Sequence, residues 1–322
     1  MQIFLTGISG LLGTNLAMDL LNEGYSVKGL VRNKSSYVGP QHQHLELIVG
    51  ELFDDYRQDL KSCECVIHVA ALTSPDVLDY SLFKRTNVDA TLRIAENCLE
   101  CGVKNFIFVS TASTIGFGTK DNPGREGDPM PPYLKNAHYI RSKFEAEKSL
   151  KDYKDRLNIS IVHPTFMIGA YDSKPSSGKL VLLGLDKLIT FYPSGGKNFV
   201  HVKDVSKGII SILKNNAFGK QYLFANENLT YKKFFKQLNV VAGQKTILVK
   251  APDSLLKITG HLGHWMRSIG IKVSSNKIHH DILMLKTYYT NVKSVEELNL
   301  TYRPVSEAIH EAIAYFRKEK KN

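Results

Sequence analysis

Short apolar runs alternate with amphipathic stretches through the first half of the chain. "QIFLTG" is such a run, and "LLGTNLAMDLLNEG" after it has apolar positions at helical spacing, stopping at Gly24. "YSVKGLVRN", "LELIVGEL" and "CVIHVAA" predict three more strands. "TNVDATLRIAENCLECG" predicts a long helix closed by Gly102. "KNFIFVST" is rich in β-branched and aromatic residues and predicts a fifth strand. "HYIRSKFEAEKSLKDY" predicts a helix, and "ISIVHP" a sixth strand. Apolar strands that alternate with helices form a parallel sheet buried on both faces. With right-handed crossovers, the expected architecture is a doubly wound α/β domain.

After about residue 165 the rhythm breaks. "FMIGAYDSKPSSGK" reads as a long loop, and "NFVHVKDVSKGIISIL" returns to strand and helix. "YKKFFKQLNVVAG" and the segment from Ala251 onward read as mostly helical. The expected organisation is a dinucleotide-binding domain over 1–165, with 190–225 returning to it. A smaller, mostly helical substrate lobe is expected over 166–322.

Composition changes this picture little. Hydrophobic residues make up 43% of the 322 residues, enough for a sizeable core in a soluble chain. The net charge of +11 raises nucleic acid or an anionic surface as partners, but the lysines are scattered and only "FRKEKK" is dense. The excess therefore points to solubility and a phosphate-bearing ligand, not to nucleic acid. No apolar stretch approaches a membrane span, and the segment after Met1 has no basic region or cleavage site. The expected setting is the cytoplasm, without membrane insertion. Cys63 with Cys65 and Cys98 with Cys101 suggest a zinc site by spacing. One pair opens a strand and the other ends a helix, so structural thiols are expected and no metal.

"TGISGLLG" places Gly7, Gly10 and Gly13 between the first strand and the first helix. Glycines let the backbone approach a pyrophosphate, and the helix N-terminus offers free N–H groups and a positive dipole end. Ser9, Leu11 and Leu12 lie in the same turn. Dinucleotide binders that prefer NAD carry an acid at the end of the second strand to read the ribose. Here "GLVRN" puts Val31 there, followed by Arg32. A guanidinium pairs with a 2′-phosphate, so NADPH is favoured over NADH.

"YIRSK" places Tyr139 and Lys143 four residues apart on one helix face. That face continues through Ala146, Leu150 and Tyr153, whereas Arg141, Glu145, Lys148 and Asp152 lie elsewhere. A lysine on a buried face needs partners or a function. It can bond ribose hydroxyls and lower the pKa of a nearby phenol, making Tyr139 an acid. Ser110, Thr111 and Ser113 end the fifth strand beside the crevice, where a hydroxyl orients a carbonyl oxygen.

The chain resembles the extended short-chain dehydrogenase/reductases, in the epimerase/dehydratase superfamily. The matching motifs are "TGISGLLG", "VIHVAA", "NVDAT", "FVSTASTIG", "YIRSK", "HPTFMIGAYD" and "NFVHVKDV", in order over residues 1 to about 205. The resemblance implies a Rossmann fold, with Tyr139 as catalytic acid/base, Lys143 as its partner and Thr111 as the catalytic Ser/Thr. It implies cofactor contacts at Glu51 and Leu52, Ala70 and Ala71, Asn87, Ser110, Pro164 and Met167. Thr73, Ser113 and Tyr171 fall on the substrate side. Dehydratases of this family carry Asp-Glu after the catalytic Thr, where this chain has Ala112 and Ser113. "GLVRN", "FVSTAS" and "PSSG" look more like the dihydroflavonol-reductase-like branch. The expected activity is NADPH-dependent reduction of a ketone or aldehyde, a small-molecule carbonyl substrate. A nucleotide-sugar epimerase with retained cofactor and a non-catalytic NADPH-sensing regulator are the alternatives. His201 is expected to be structural. The substrate is left unnamed, and oligomeric state is left open, a homodimer being allowed.

Overall fold

In β1 (Gln2–Thr6) successive side chains enter different cores. Ile3 and Leu5 join one apolar cluster and Phe4 the other, all fully buried. The period of two along a strand does this, and it requires a layer of helices on each face. β5 (Asn105–Val109) repeats the division, with Ile107 and Val109 on one side and Phe106 and Phe108 on the other. The computed structural model describes residues 1–259 and 277–319.

β1 lies at the centre of a seven-stranded sheet in the order β10-β6-β5-β4-β1-β2-β3. The other strands are β2 (Ser26–Val31), β3 (Leu45–Val49), β4 (Cys65–His68), β6 (Asn158–Pro164) and β10 (Gln221–Phe224). Every pairing is parallel. The order reverses between β1 and β4, which opens the crevice where doubly wound sheets bind ligands. α1 (Leu11–Asn22) follows β1, and the short α2 (Arg57–Leu60) precedes β4. α3 (Tyr80–Phe83), a single π turn (Lys84–Asp89) and α4 (Ala90–Glu100) run on as one rod. α5 (His138–Leu150) connects β5 to β6.

The C-terminal half is less helical than its composition suggests. α6 (Lys179–Gly184), α7 (Val202–Lys214) and α8 (Tyr231–Ala242) are joined by short strands. Phe166–Ile168, expected within a long loop, forms β7 and pairs with β9 (Gly196–His201). β9 also pairs with β11 (Glu227–Thr230) and with β13 (Lys286–Thr287), while β8 (Ile189–Tyr192) pairs with β12 (Ile247–Lys250). Strands this short carry too little alternation to be read locally, and their pairing is long-range. α7 packs Val205 and Ile209 against Leu16 and Leu20 of α1, and β10 rejoins the large sheet. The terminal helix Val305–Glu319 shares a third core with Phe199, Phe234 and Phe235. Part of the segment expected to be helical, 260–276, lies outside the described residues.

All four cysteines are free thiols, with Cys63, Cys65 and Cys98 buried. Burial pushes the Cys63 thiol up to about 11. Among the described residues, no three potential ligands gather at a metal site, and no helix is long and apolar enough to cross a membrane.

Phe234 is fully buried, and its ring stacks on Phe199 with centroids 4.6 Å apart. Phe234→Ala should cost about 3–5 kcal/mol of stability, read as a lower denaturant midpoint in urea unfolding.

Candidate active site

Gly7 has φ +72°, and a Cβ there would lie 2.6 Å from the amide nitrogen of Ala70. A Cβ on Gly13 would lie 2.0 Å from the Gly7 carbonyl oxygen. The turn therefore folds onto the start of α1 and against the end of β4, as only glycine permits at these two positions. Gly10 stands at the cap of α1 with no side-chain cap. The first amides of the helix, at Leu11, Leu12 and Gly13, are thus left for an anion. Ser9 sits half-buried beside them.

Val31, at the end of β2, is buried, whereas Arg32 is exposed and has no ion-pair or hydrogen-bond partner among the described residues. Past β3, the backbone N–H of Glu51 donates to Asp54 Oδ2 at 2.8 Å, and the Tyr56 hydroxyl donates to the Glu51 carbonyl. Leu52 packs on the core beneath. Past β4, the N–H of Ala70 lies 3.2 Å from Thr6 Oγ1, and Ala71 follows half-buried. Thr6 Oγ1 is 2.7 Å from His68 Nδ1, and His68 Nε2 is 2.9 Å from Thr91 Oγ1. Burial, helped by the Lys143 charge, pushes the His68 imidazole down to about 3 and keeps it neutral.

α5 carries Tyr139, Lys143, Ala146 and Leu150 inward, as its spacing predicts. Arg141 and Glu145 pair outside at 2.8 Å. The half-buried Tyr139 phenol feels the side chain of Thr111, which follows β5 and lowers its pKa. Thr111 Oγ1 in turn accepts from the N–H of Ser113 at 3.3 Å. Lys143 is only 1% exposed, with Nζ 4.1 Å above the Phe108 ring and no hydrogen-bond partner among the described residues. Burial pushes its ammonium down to about 7, opposed by the charge of Glu147. The phenol departs from expectation. Burial, then the Glu147 charge, lifts Tyr139 to about 12, and only the Thr111 side chain opposes them. Lys143 does not lower it here, because burial weakens the lysine's own hold on its proton.

Asn87 is fully buried on the π turn, a distortion often found at functional sites. It accepts from the Leu72 N–H at 2.7 Å and donates to the Leu72 carbonyl and Ser142 Oγ, both at 2.9 Å. Its amide thus ties the loop after β4, which continues to the exposed Thr73, to α5. Ser110 gives its hydroxyl to Glu147. Pro164 ends β6, and the half-buried Met167 lies in β7. Tyr171 has φ +68°, and its ring packs on Tyr315, with centroids 5.5 Å apart. The preceding carbonyl, Ala170, accepts from Asn15 of α1 at 2.9 Å, so Tyr171 stands beside the glycine-turn helix. His201 caps α7, its Nδ1 accepting from the Lys203 N–H at 3.1 Å. Glu147 was not singled out by the sequence pattern. It lies four residues beyond Lys143 on the same face, which is the signal that could have found it.

These residues fit a dinucleotide. The glycine cradle suits a pyrophosphate, the unpaired Arg32 suits a phosphate or ribose, and the lone buried Lys143 ammonium suits hydroxyls.

Comparison with known proteins agrees. Residues 3–225 match the NAD dependent epimerase/dehydratase family. The chain is 27% identical to a putative dihydroflavonol 4-reductase of Synechocystis sp., covering 98% of this chain and 94% of the relative. It is 25% identical to a UDP-glucose 4-epimerase of Vibrio cholerae, covering 81% of this chain and 82% of that one. The crystal structure of gox2253 superposes with a TM-score of 0.83 at 27% identity, covering 98% of both chains. With the family matched over most of its length and the crevice built for a dinucleotide, this chain belongs to the NAD dependent epimerase/dehydratase family as an NAD(P)-dependent oxidoreductase.

Proposed function

We propose that the protein reduces a ketone or aldehyde with NADPH. The observation that carries this reading is Tyr139 one turn from the buried Lys143 on α5, with the Thr111 side chain at the end of β5 acting on the phenol. When bound, the dinucleotide supplies hydride to the carbonyl carbon. Thr111 holds the carbonyl oxygen, and Tyr139 gives it a proton. A phenol lifted to about 12 is fully protonated at neutral pH, as a donor must be. The Lys143 ammonium, without a hydrogen-bond partner among the described residues, is available to ribose hydroxyls.

Ala112 and Ser113 follow Thr111 where elimination would need a further acid and base. Ala112 is buried, and its carbonyl accepts from the Tyr289 hydroxyl at 3.0 Å. The reductase relative supports the same choice. The epimerase relative supports a second reading, in which the cofactor is retained and a nucleotide sugar is interconverted. The exposed, unpaired Arg32 beside the buried Val31 supports NADPH.

A panel of ketones, aldehydes and nucleotide sugars with NADPH tests the reading. Stoichiometric NADPH oxidation with a carbonyl substrate is expected, and Tyr139→Phe should lower kcat by at least about a hundredfold without weakening NADPH binding. Net interconversion of a nucleotide sugar with no NADPH consumed would establish the epimerase instead.

Arg32→Ala should weaken NADPH about ten- to a hundredfold, from the loss of a charge-assisted contact of roughly 1.5–3 kcal/mol. NADH affinity should stay nearly constant, and the NADPH loss should shrink at high salt. Equal losses for both cofactors would remove Arg32 from phosphate recognition.

Lys143 also predicts a pH dependence. Its ordinary value is 10.5 and its folded value about 7, so between these the unfolded chain holds more protons. The lysine therefore costs stability at and below pH 7, and the cost fades as pH rises toward 10.5. Lys143→Met should raise the thermal midpoint of the cofactor-free protein by more than about 2 °C at pH 7, with a smaller gain at pH 10. The same variant should bind NADPH more weakly. A lower midpoint at neutral pH would show that Lys143 is stabilising as packed.

A further inference from the structure

We propose that Glu147 is a positioning residue for this site: a buried carboxylate that keeps Lys143 charged and pins the turn that carries Thr111. The proposal rests on the reading of Tyr139 and Lys143 given above.

Tyr139, Lys143 and Glu147 are four residues apart in turn, so α5 stacks them along one face. Glu147 is only 9% exposed. A carboxylate in such a place persists only where donors and charges compensate it. The donors come from the residues after β5. Ser110 donates its hydroxyl to Glu147 Oε1, and Thr114 Oγ1 lies 2.7 Å from the same oxygen. Thr114 Oγ1 is also 2.8 Å from the Thr111 carbonyl. His163 of β6 closes the group, with Nδ1 3.6 Å from Glu147 Oε1, 3.2 Å from Thr114 Oγ1 and 3.3 Å from the Thr111 carbonyl. Thr111, whose side chain acts on the Tyr139 phenol, thus has its carbonyl in a network anchored on Glu147. One helix face holds both ends of the reacting pair.

The electrostatic role follows from what surrounds Lys143. His68 faces it from β4 and is neutral. Tyr139 faces it from α5 and is protonated. Phe108 of β5 offers only a ring face. Among the described residues, Glu147 is the one carboxylate whose charge acts on Lys143, and it opposes the burial that would strip the lysine's proton. Its charge reaches the Tyr139 phenol as well, in the direction that keeps the donor protonated. A single buried charge therefore favours the protonated form of both groups. A carboxylate present only to satisfy the hydroxyls of Ser110 and Thr114 would leave the titration of Lys143 indifferent to it.

The test is a titration of the cofactor-free protein carrying lysine labelled with carbon-13 at Cε, followed by NMR against pH. The Lys143 signal is identified by its loss in Lys143→Met. Glu147→Gln should move the Lys143 midpoint down by about one pH unit or more, since an opposite charge nearby shifts a group by that order. Thr114→Val, which removes one donor to the carboxylate and keeps its charge, should move it little. Glu147→Asp, which keeps the charge, should leave it near the unmodified value. An unmoved midpoint in Glu147→Gln overturns the proposal, and Glu147→Met, which also removes the charge, decides it should Glu147→Gln fail to fold. The alkaline limb of kcat/KM for carbonyl reduction should move with the midpoint. A midpoint that moves while the limb stays would uphold the action of Glu147 on Lys143 and instead overturn the catalytic reading of Lys143.

Discussion

An ammonium group taken out of water is the constraint around which this site is organised. Lys143 is almost fully enclosed, rests on the ring of Phe108 and lacks a hydrogen-bond partner among the described residues. Such a group is costly to keep. The surroundings reduce the cost without removing it. The Glu147 carboxylate acts from one turn away, and the neighbouring His68 is held neutral so that it adds no positive charge. The residual cost is what leaves the ammonium free for a ligand. Full pairing with a carboxylate would have stabilised the fold and silenced the lysine.

The site around that lysine is assembled from segments far apart in the chain, and its accuracy comes from backbone contacts more than from side chains. The glycine turn touches the end of β4 so closely that Gly7 has no room for a Cβ beside Ala70. Asn87 grips both backbone groups of Leu72 and reaches Ser142, whose hydroxyl donates to the Tyr139 carbonyl at 2.8 Å. The strand ends, the π turn and α5 are thereby held in one register. Thr111 is fixed from the other side by Thr114 and His163. The hydroxyls at the end of β5 are thus held in place by the packed structure.

The C-terminal half is tied to the first. α7 packs on α1, and Asp204 of α7, itself buried, accepts from the Arg303 guanidinium at 2.8 Å and from its backbone N–H at 2.9 Å. Tyr289 reaches back to the Ala112 carbonyl beside Thr111.

Much of this was legible in the amino-acid order. Near-continuous apolar runs, broken by helical stretches and glycines, specify a parallel sheet buried on both faces, because both sides of such strands need apolar cover. The spacing of Gly7, Gly10 and Gly13 and of Tyr139 and Lys143 is local geometry, and local geometry follows from the chain itself. The tertiary structure decided the rest. Phe166–Ile168 is a strand only because β9 lies beside it, and the lobe's small sheets exist only through pairings between distant segments. The protonation of Lys143 and Tyr139 depends on burial and on the Glu147 charge, and burial is a property of the whole packed molecule. Along the chain Glu147 is marked only by its place four residues beyond Lys143, since the hydroxyls of Ser110 and Thr114 reach it only after β5 and α5 have packed together.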